Sequence, residues 1–124
     1  MKKLIVLLLI AIPMMVMAQT HIAIEYFVNQ IYTDLGCIIR PALKDTEEDG
    51  SVIYSNILHI PTDVPVTTVM NLITKKVASY SDVSFRDTWQ PLSSTSIEAY
   101  IDIAGGILLV AIFLEEGVIL FMYE

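Results

Sequence analysis

One acidic stretch has carboxylates at a spacing that is typical of a calcium-binding loop. In DTEEDGSVIYSN, the carboxylates of Asp45, Glu47 and Asp49 occupy the first, third and fifth places of such a loop. Gly50 follows at the sixth place, but the twelfth place is Asn56 instead of a bidentate glutamate. Ca²⁺ prefers six to eight oxygen ligands, and the flanking residues predict strands instead of helices. The sequence therefore predicts a solvated hairpin tip, with weak calcium binding at Asp45, Glu47 and Asp49 as the alternative.

No arrangement of residue types specifies an enzyme. A nucleophile needs a base within hydrogen-bond reach and a third group that orients the base. Cys37, His59 and Asp63 supply such groups, but nothing in their spacing brings them together. The glutamate pairs at 47–48 and 115–116 lie in predicted turns, where water keeps carboxylates ionised. The sequence contains no phosphate loop, nucleophile elbow or dinucleotide fingerprint. It leaves enzymatic activity undecided and favours a non-catalytic domain without a cofactor.

A small-molecule site is a second function that the residue types allow. Ligand pockets combine apolar and aromatic walls with a few polar groups. The candidate residues are Tyr54, His59, Arg86, Trp89 and Tyr100. If the fold brings them into one concave surface, the protein is a cone-shaped pocket domain that binds or transforms a small molecule.

The first eighteen residues have the three parts of a cleavable secretory signal. Two lysines give a basic start, residues 4–17 form a short apolar core, and Ala18 is a small residue at the end. The apolar run is shorter than the roughly 20 residues that a membrane span needs. The sequence therefore predicts a signal peptide at 1–18 and a single exported domain at 19–124. We expect the domain to be periplasmic or secreted, with no membrane span after cleavage.

The processed chain is strongly acidic and has one cysteine. The whole chain has 7 basic and 14 acidic residues, so that loss of the two signal lysines leaves 5 basic residues and a net charge of −9. Such a surface repels phosphate backbones and anionic lipid, so nucleic acid is not an expected partner. Cys37 has no second cysteine with which to form an intramolecular disulfide. The expected partner is another protein or a second copy of the chain.

Two stretches have the period of amphipathic helices. In residues 20–35 the apolar side chains fall on one face, with Thr20 as the cap and Gly36 at the end. The clearer helix lies within residues 62–80, with Asp63 as its cap. We expect both helices to bury one apolar side.

The remaining segments predict strands. Residues 37–43 predict an edge strand, because their proline lacks the amide hydrogen that an inner strand needs, and residues 51–60 predict a second strand. Apolar and polar residues then alternate at 83–89 and 97–103, which is typical of antiparallel strands with one dry side and one wet side. Residues 90–96 predict a turn or loop between them.

The final two strands are apolar on both sides. Residues 107–114 and 118–123 contain no charged side chain, and residues 115–117 connect them as a short hairpin. Exposed strands of this kind aggregate, so we expect both sides to be covered, by curvature of the sheet or by another chain. The predicted interface residues are Leu108, Val110, Ile112, Ile119, Phe121 and Tyr123.

The element order α-β-β-α-β-β-β-β predicts an α+β fold, with two helices packed on one face of a curved antiparallel sheet. This order is similar to that of cone-shaped nuclear-transport-factor-2-like domains and of cystatin-like folds, and the similarity lies in the element order alone. The sequence thus predicts a small exported binding or protein-interaction domain that makes contacts through its sheet or its C-terminal hairpin.

Overall fold

The computed structural model describes residues 20–124, and it shows the predicted α+β fold. The elements, in chain order, are α1 (residues 20–34), β1 (Leu43–Thr46), β2 (Val52–His59), α2 (Val66–Ser79), β3 (Val83–Ser93), β4 (Ser96–Ile103), β5 (Gly106–Phe113) and β6 (Val118–Tyr123). This is the predicted order α-β-β-α-β-β-β-β. The predicted signal peptide at 1–18 lies outside the described residues.

The six strands form one antiparallel sheet in the order β1-β2-β6-β5-β4-β3. Consecutive strands are neighbours except at one place, where β6 returns to lie between β2 and β5. Both strands of the C-terminal hairpin therefore have a hydrogen-bonded neighbour on each side. Their backbone groups are satisfied within the sheet, and the apolar hairpin presents no edge to solvent.

Both helices contribute to one hydrophobic core with the sheet. The helix residues buried in it include Ile24, Phe27, Val28, Ile31, Tyr32, Val69, Ile73 and Val77. The strand residues in it are Leu58, Val83, Ile101, Ile103, Leu108, Val110, Ile112, Ile119, Phe121 and Tyr123. The helical period of the two helices and the alternation at 97–103, each of which predicts one buried apolar side, are thus confirmed.

The two helices are joined side by side by polar contacts. Lys76 Nζ lies 2.6 Å from Asp34 Oδ2 and 3.3 Å from Gln30 Oε1. The hydroxyl of Tyr80, just after α2, also donates to Gln30 Oε1. The Lys76 side chain is mostly buried, so these contacts satisfy a charge that would otherwise be costly at the helix interface.

The cap predicted for α2 is absent, and Thr20 at the start of the described part of α1 makes a contact outside its own helix. Thr20 already has helical backbone, and its hydroxyl donates to the carbonyl oxygen of Ala104 at 2.7 Å. In α2 the N-cap position is Pro65, which has no side-chain cap bond, so Asp63 lies too early in the chain to cap the helix. The hydrogen bond from the Thr20 hydroxyl links α1 to the turn between β4 and β5.

The segment after α1 differs from the prediction. Gly36, with φ of +71°, ends the helix as expected, but residues 37–42 form no strand and Ile38 is 85 % exposed. The carbonyl oxygen of Arg40 accepts a hydrogen bond from Asn56 Nδ2 at 3.0 Å, so a side chain takes the place of a neighbouring strand. The edge strand β1 begins only at Leu43 and continues to Thr46, beyond the predicted end of the strand at residue 43.

The loop predicted at 90–96 is also shorter than expected. β3 continues to Ser93, and only two residues connect it to β4. The β3–β4 register shifts at three places, between Phe85 and Asp87, between Asp87 and Gln90, and between Pro91 and Ser93. β3 lies at the edge of the sheet, where a proline and bulges are tolerated because one side needs no ladder.

Candidate interaction surface

Alternate strand residues point away from the helices and form a second apolar surface, here called the open face. Directly opposite residues of an antiparallel pair share a side of the sheet, so Met122 lies on the same side as Leu109 and Leu120 on the same side as Ile57. The apolar residues of this surface on β2, β5 and β6 are Ile53, Ile57, Ile107, Leu109, Ala111, Phe113, Val118, Leu120 and Met122.

The open face is covered only in part. Ile57 is 48 % exposed and Ile107 is 40 % exposed, whereas only Ala111 at the centre is fully buried. The open-face residues of β2, β5 and β6 are here called the apolar middle. Three strands about 4.8 Å apart, with about seven residues of about 3.3 Å each, give it an area on the order of 300 Å². Contiguous apolar patches of this size on a protein surface are often functional.

Acidic and polar side chains border the apolar middle. On the β4 side, Glu98 lies opposite Ala111, Tyr100 opposite Leu109 and Asp102 opposite Ile107. Arg86 Nε is 3.1 Å from Asp102 Oδ1, so this cation is already paired. On the far side of the sheet, Asp45 of β1 lies opposite Ile53.

A cavity of about 620 Å³ opens at one end of the open face. Its walls are formed by Thr20, Ile53, Gly105, Gly106, Ile107, Leu109, Met122, Tyr123 and Glu124. Four of these are apolar residues of the open face, so the cavity and the open face are one continuous surface. Its volume lies in the range of pockets that hold ligands.

The β4–β5 turn shapes one wall of this cavity. Ala104 and Gly105 both have positive φ, which is the requirement of a two-residue hairpin turn of type I′. At Gly106 a Cβ atom would lie 2.5 Å from Cγ2 of Thr20 and 3.0 Å from Cδ1 of Ile24. The absence of a side chain at Gly106 therefore lets α1 lie close against the end of β5.

An aromatic cluster lies beside the cavity on the helix side. The rings of Tyr54 and Tyr123 are stacked with centroids 5.4 Å apart, and the His21 ring lies 4.3 Å from that of Tyr54. Burial, with a smaller effect of the nearby Glu25 carboxylate, raises the pKa of Tyr123 to about 12. The phenol is therefore protonated at neutral pH and acts as a wall of the site, since a base would need a lower pKa.

The five residues predicted for a small-molecule pocket do not come together. Tyr54 belongs to the aromatic cluster, and Trp89 Nε1 donates to Thr74 Oγ1 of α2 at 3.0 Å, so both lie on the helix side. The other three, on three different strands of the open face, are His59, Arg86 and Tyr100. The cavity that the structure contains is built from other residues.

The six residues predicted as an interface lie on the covered side of the sheet. Leu108, Val110, Ile112, Ile119, Phe121 and Tyr123 are 0–3 % exposed. They belong to the core that the sheet forms with the helices, and Tyr123 also lines the cavity. The register of the sheet decides which residues of the hairpin face the helices. A strand that is apolar on both sides does not reveal this from its own sequence. The accessible residues of the same hairpin are the intervening ones.

The groups considered for catalysis are not arranged for it. The Cys37 thiol donates to the main-chain carbonyl oxygen of His59 at 3.8 Å, and the His59 side chain lies on the open face. The thiol thus contacts the backbone of His59, whereas a nucleophile would have to contact the imidazole.

The acidic loop forms a hairpin tip. Asp49 Oδ1 accepts hydrogen bonds from the Ser51 hydroxyl at 2.6 Å and from the Ser51 N–H at 3.0 Å. Both bonds lower the pKa of Asp49, with the hydroxyl as the larger cause. Within residues 20–124 no three His, Cys, Asp or Glu side chains are close enough to hold a metal ion.

Comparisons with known proteins add no information on function. No protein-family model matches the chain, and no curated protein or solved structure matches it at a significant level. None of the helices in the described part of the chain is long and apolar enough to span a membrane. The open face and its cavity are therefore the features from which a function is inferred.

Proposed function

We propose that the protein is a small exported, non-catalytic domain that binds another protein through the open face. The observation that carries the proposal is a partly exposed apolar strip in the middle of a sheet whose other side is already covered by two helices. The signal-like residues 1–18 support export to the periplasm or the medium.

The open face is a better binding surface than either edge of the sheet. A partner that adds a strand needs a long and regular edge. β1 has only four residues, and β3 has register shifts and Pro91. Both features discourage strand addition, so side chains of the open face are the more accessible binding groups.

Burial of the apolar middle supplies a limited driving force. At about 25 cal/mol per Å², on the order of 300 Å² corresponds to about 7 kcal/mol. Association itself costs at least about 4 kcal/mol of translational and rotational freedom. The surplus is small, so a stable complex requires the cavity and the polar border to contribute as well.

Site-specific photo-crosslinking in the cells that make the protein tests the proposal. A photoreactive amino acid replaces Leu120 on the open face or, as the control, Ile22 on α1, which is also exposed and apolar. We expect a discrete adduct with another protein from position 120 and none from position 22. Equal adducts from both positions, or none from position 120 in correctly folded protein, would contradict the proposal.

A small apolar molecule is a second candidate ligand, because the cavity of about 620 Å³ has mostly apolar walls. Saturated fatty acids of increasing length provide the probe. If this function is correct, they raise the melting temperature of the protein, and the substitution Leu109→Gln removes the increase. A melting temperature that stays constant across the series would exclude it.

A further inference from the structure

We infer that the open face recognises a cationic amphipathic segment of the partner protein, which inserts one large apolar side chain into the cavity. This inference rests on the proposed function and specifies the chemistry of the partner. It combines two observations: the position of the cavity at one end of the open face, and the sign of the charges around it.

The cavity is placed to receive an anchor. Ile53, Ile107, Leu109 and Met122 belong both to the apolar middle and to the cavity wall, so a segment lying along the sheet passes directly over the opening. Most of the energy in protein interfaces comes from a few large side chains, often aromatic, that fill such pockets. A partner with one such anchor and smaller apolar neighbours fits this shape.

The charges around the opening are predominantly negative. The carboxylates on this side of the sheet and at the cavity are those of Asp45, Asp87, Glu98, Asp102 and Glu124. Of the two Lys or Arg residues in the six strands, Arg86 lies on this side, and it is paired with Asp102. Lys44 lies on the opposite side, because it pairs with Tyr54 of the aromatic cluster. Lysine or arginine side chains on the partner complement this border.

The same charges disfavour the other occupants of an apolar surface. Two copies packed through their open faces would bring one carboxylate border against the other, and like charges at an interface are repulsive. Anionic lipid headgroups would be repelled in the same way. A cationic protein segment satisfies both the apolar and the charged requirements.

Three synthetic peptides test the inference with the purified protein. They share one tryptophan and the same leucines, and the intervening positions are all lysine, all serine or all glutamate. We expect the lysine peptide to bind most tightly, the serine peptide more weakly and the glutamate peptide not at all. We also expect binding of the lysine peptide to weaken as salt rises from about 50 to 500 mM, because rim charges are screened.

Two sets of variants assign the binding to this site. Leu109→Gln alters the cavity, and its control is Ile22→Gln on α1; only the first is expected to abolish binding. The double variant Asp45→Asn, Glu124→Gln is expected to bind the lysine peptide about three- to tenfold more weakly, which corresponds to the loss of two solvent-exposed ion pairs. The control of equal charge change is Glu115→Gln with Glu116→Gln in the β5–β6 turn, at the other end of β5 and β6.

Each other result has a distinct meaning. If the lysine and glutamate peptides bind equally and Leu109→Gln removes both, the open face is a binding site but the cationic inference is overturned. If no peptide binds and the apolar dye bis-ANS also fails to bind at the open face, the proposed function fails too. Sedimentation as a dimer that the open-face variants dissociate, or binding to zwitterionic phosphatidylcholine vesicles, would assign the surface to a second copy or to a membrane and overturn the inference.

Discussion

Two adjacent residues of β6 test directly which side of the C-terminal hairpin is covered. Phe121 is fully buried under the helices, with its ring 6.4 Å from that of Tyr32, whereas Leu120 lies on the open face and is partly exposed. Replacing a buried phenylalanine with alanine removes its apolar contacts and leaves a cavity, which costs about 3–5 kcal/mol. Replacing the partly exposed leucine removes less buried surface, and we expect a loss of about 1 kcal/mol.

Urea unfolding, monitored by circular dichroism, measures how much free energy of unfolding is lost in each of the two variants. For a domain of this size, about 3 kcal/mol lowers the melting temperature by at least about 12 °C. If Phe121→Ala does not fold, the milder variant Phe121→Leu replaces it. We expect Phe121→Leu to lower the free energy of unfolding more than the control substitution Leu120→Val does. The m-value should stay constant, since the surface exposed on unfolding is nearly unchanged.

Equal losses at the two positions would refute the assignment of the sides. A greater loss at Leu120 would show that the open face is the covered one. If the loss at Leu120 grows with protein concentration, a second copy covers that side, because association contributes to stability by mass action.

Three further predictions concern the end of the sheet near the cavity and the acidic hairpin. Gly106→Ala is expected to lower the free energy of unfolding by about 1–3 kcal/mol, because the new methyl group would overlap Cγ2 of Thr20. Thr20→Ser in the same chain removes that atom and should restore part of the loss, as measured by urea unfolding. Because burial raises the pKa of Tyr123 to about 12, above its ordinary value of 10.0, its contribution to stability is complete below pH 10 and is lost as the pH rises from about 10 to 12. Tyr123→Phe should therefore flatten the fall of stability in that window, and an unchanged slope would contradict the burial. Millimolar calcium should leave the melting temperature unchanged, because Asp49 already accepts two hydrogen bonds from Ser51. An increase in melting temperature that Asp49→Asn abolishes would support calcium binding at this loop.

The sequence was sufficient for the order of the elements because each element carries its own pattern. Buried residues recur at helical spacing in α1 and α2, and they alternate in β4 from Ala99 to Ile103. The strand at 37–43 was misplaced because an apolar run with a proline does not reveal whether a neighbouring strand exists. Here the Asn56 side chain, distant in sequence, binds that backbone instead.

The open face was harder to predict because it depends on register between distant segments. Every residue in 107–114 is apolar, so the local sequence does not show whether Leu108 or Leu109 faces the helices. That follows only from the pairing of β5 with β4 and β6. The cavity combines residues from α1, β2, β5 and β6 with the β4–β5 turn, and no local pattern links them. The one local signal is the apolar character of both sides of β5 and β6, which indicates that apolar side chains also lie outside the core.

The central position of β6 has a consequence for how the chain folds during synthesis. β2 pairs with β6, as in Leu58 with Ile119, so β2 cannot acquire that neighbour until β6 has been made. Contacts between such distant segments slow folding, because a long loop must close first. The sheet of a nascent chain therefore stays divided, with β2 separated from β5, until β6 has been made.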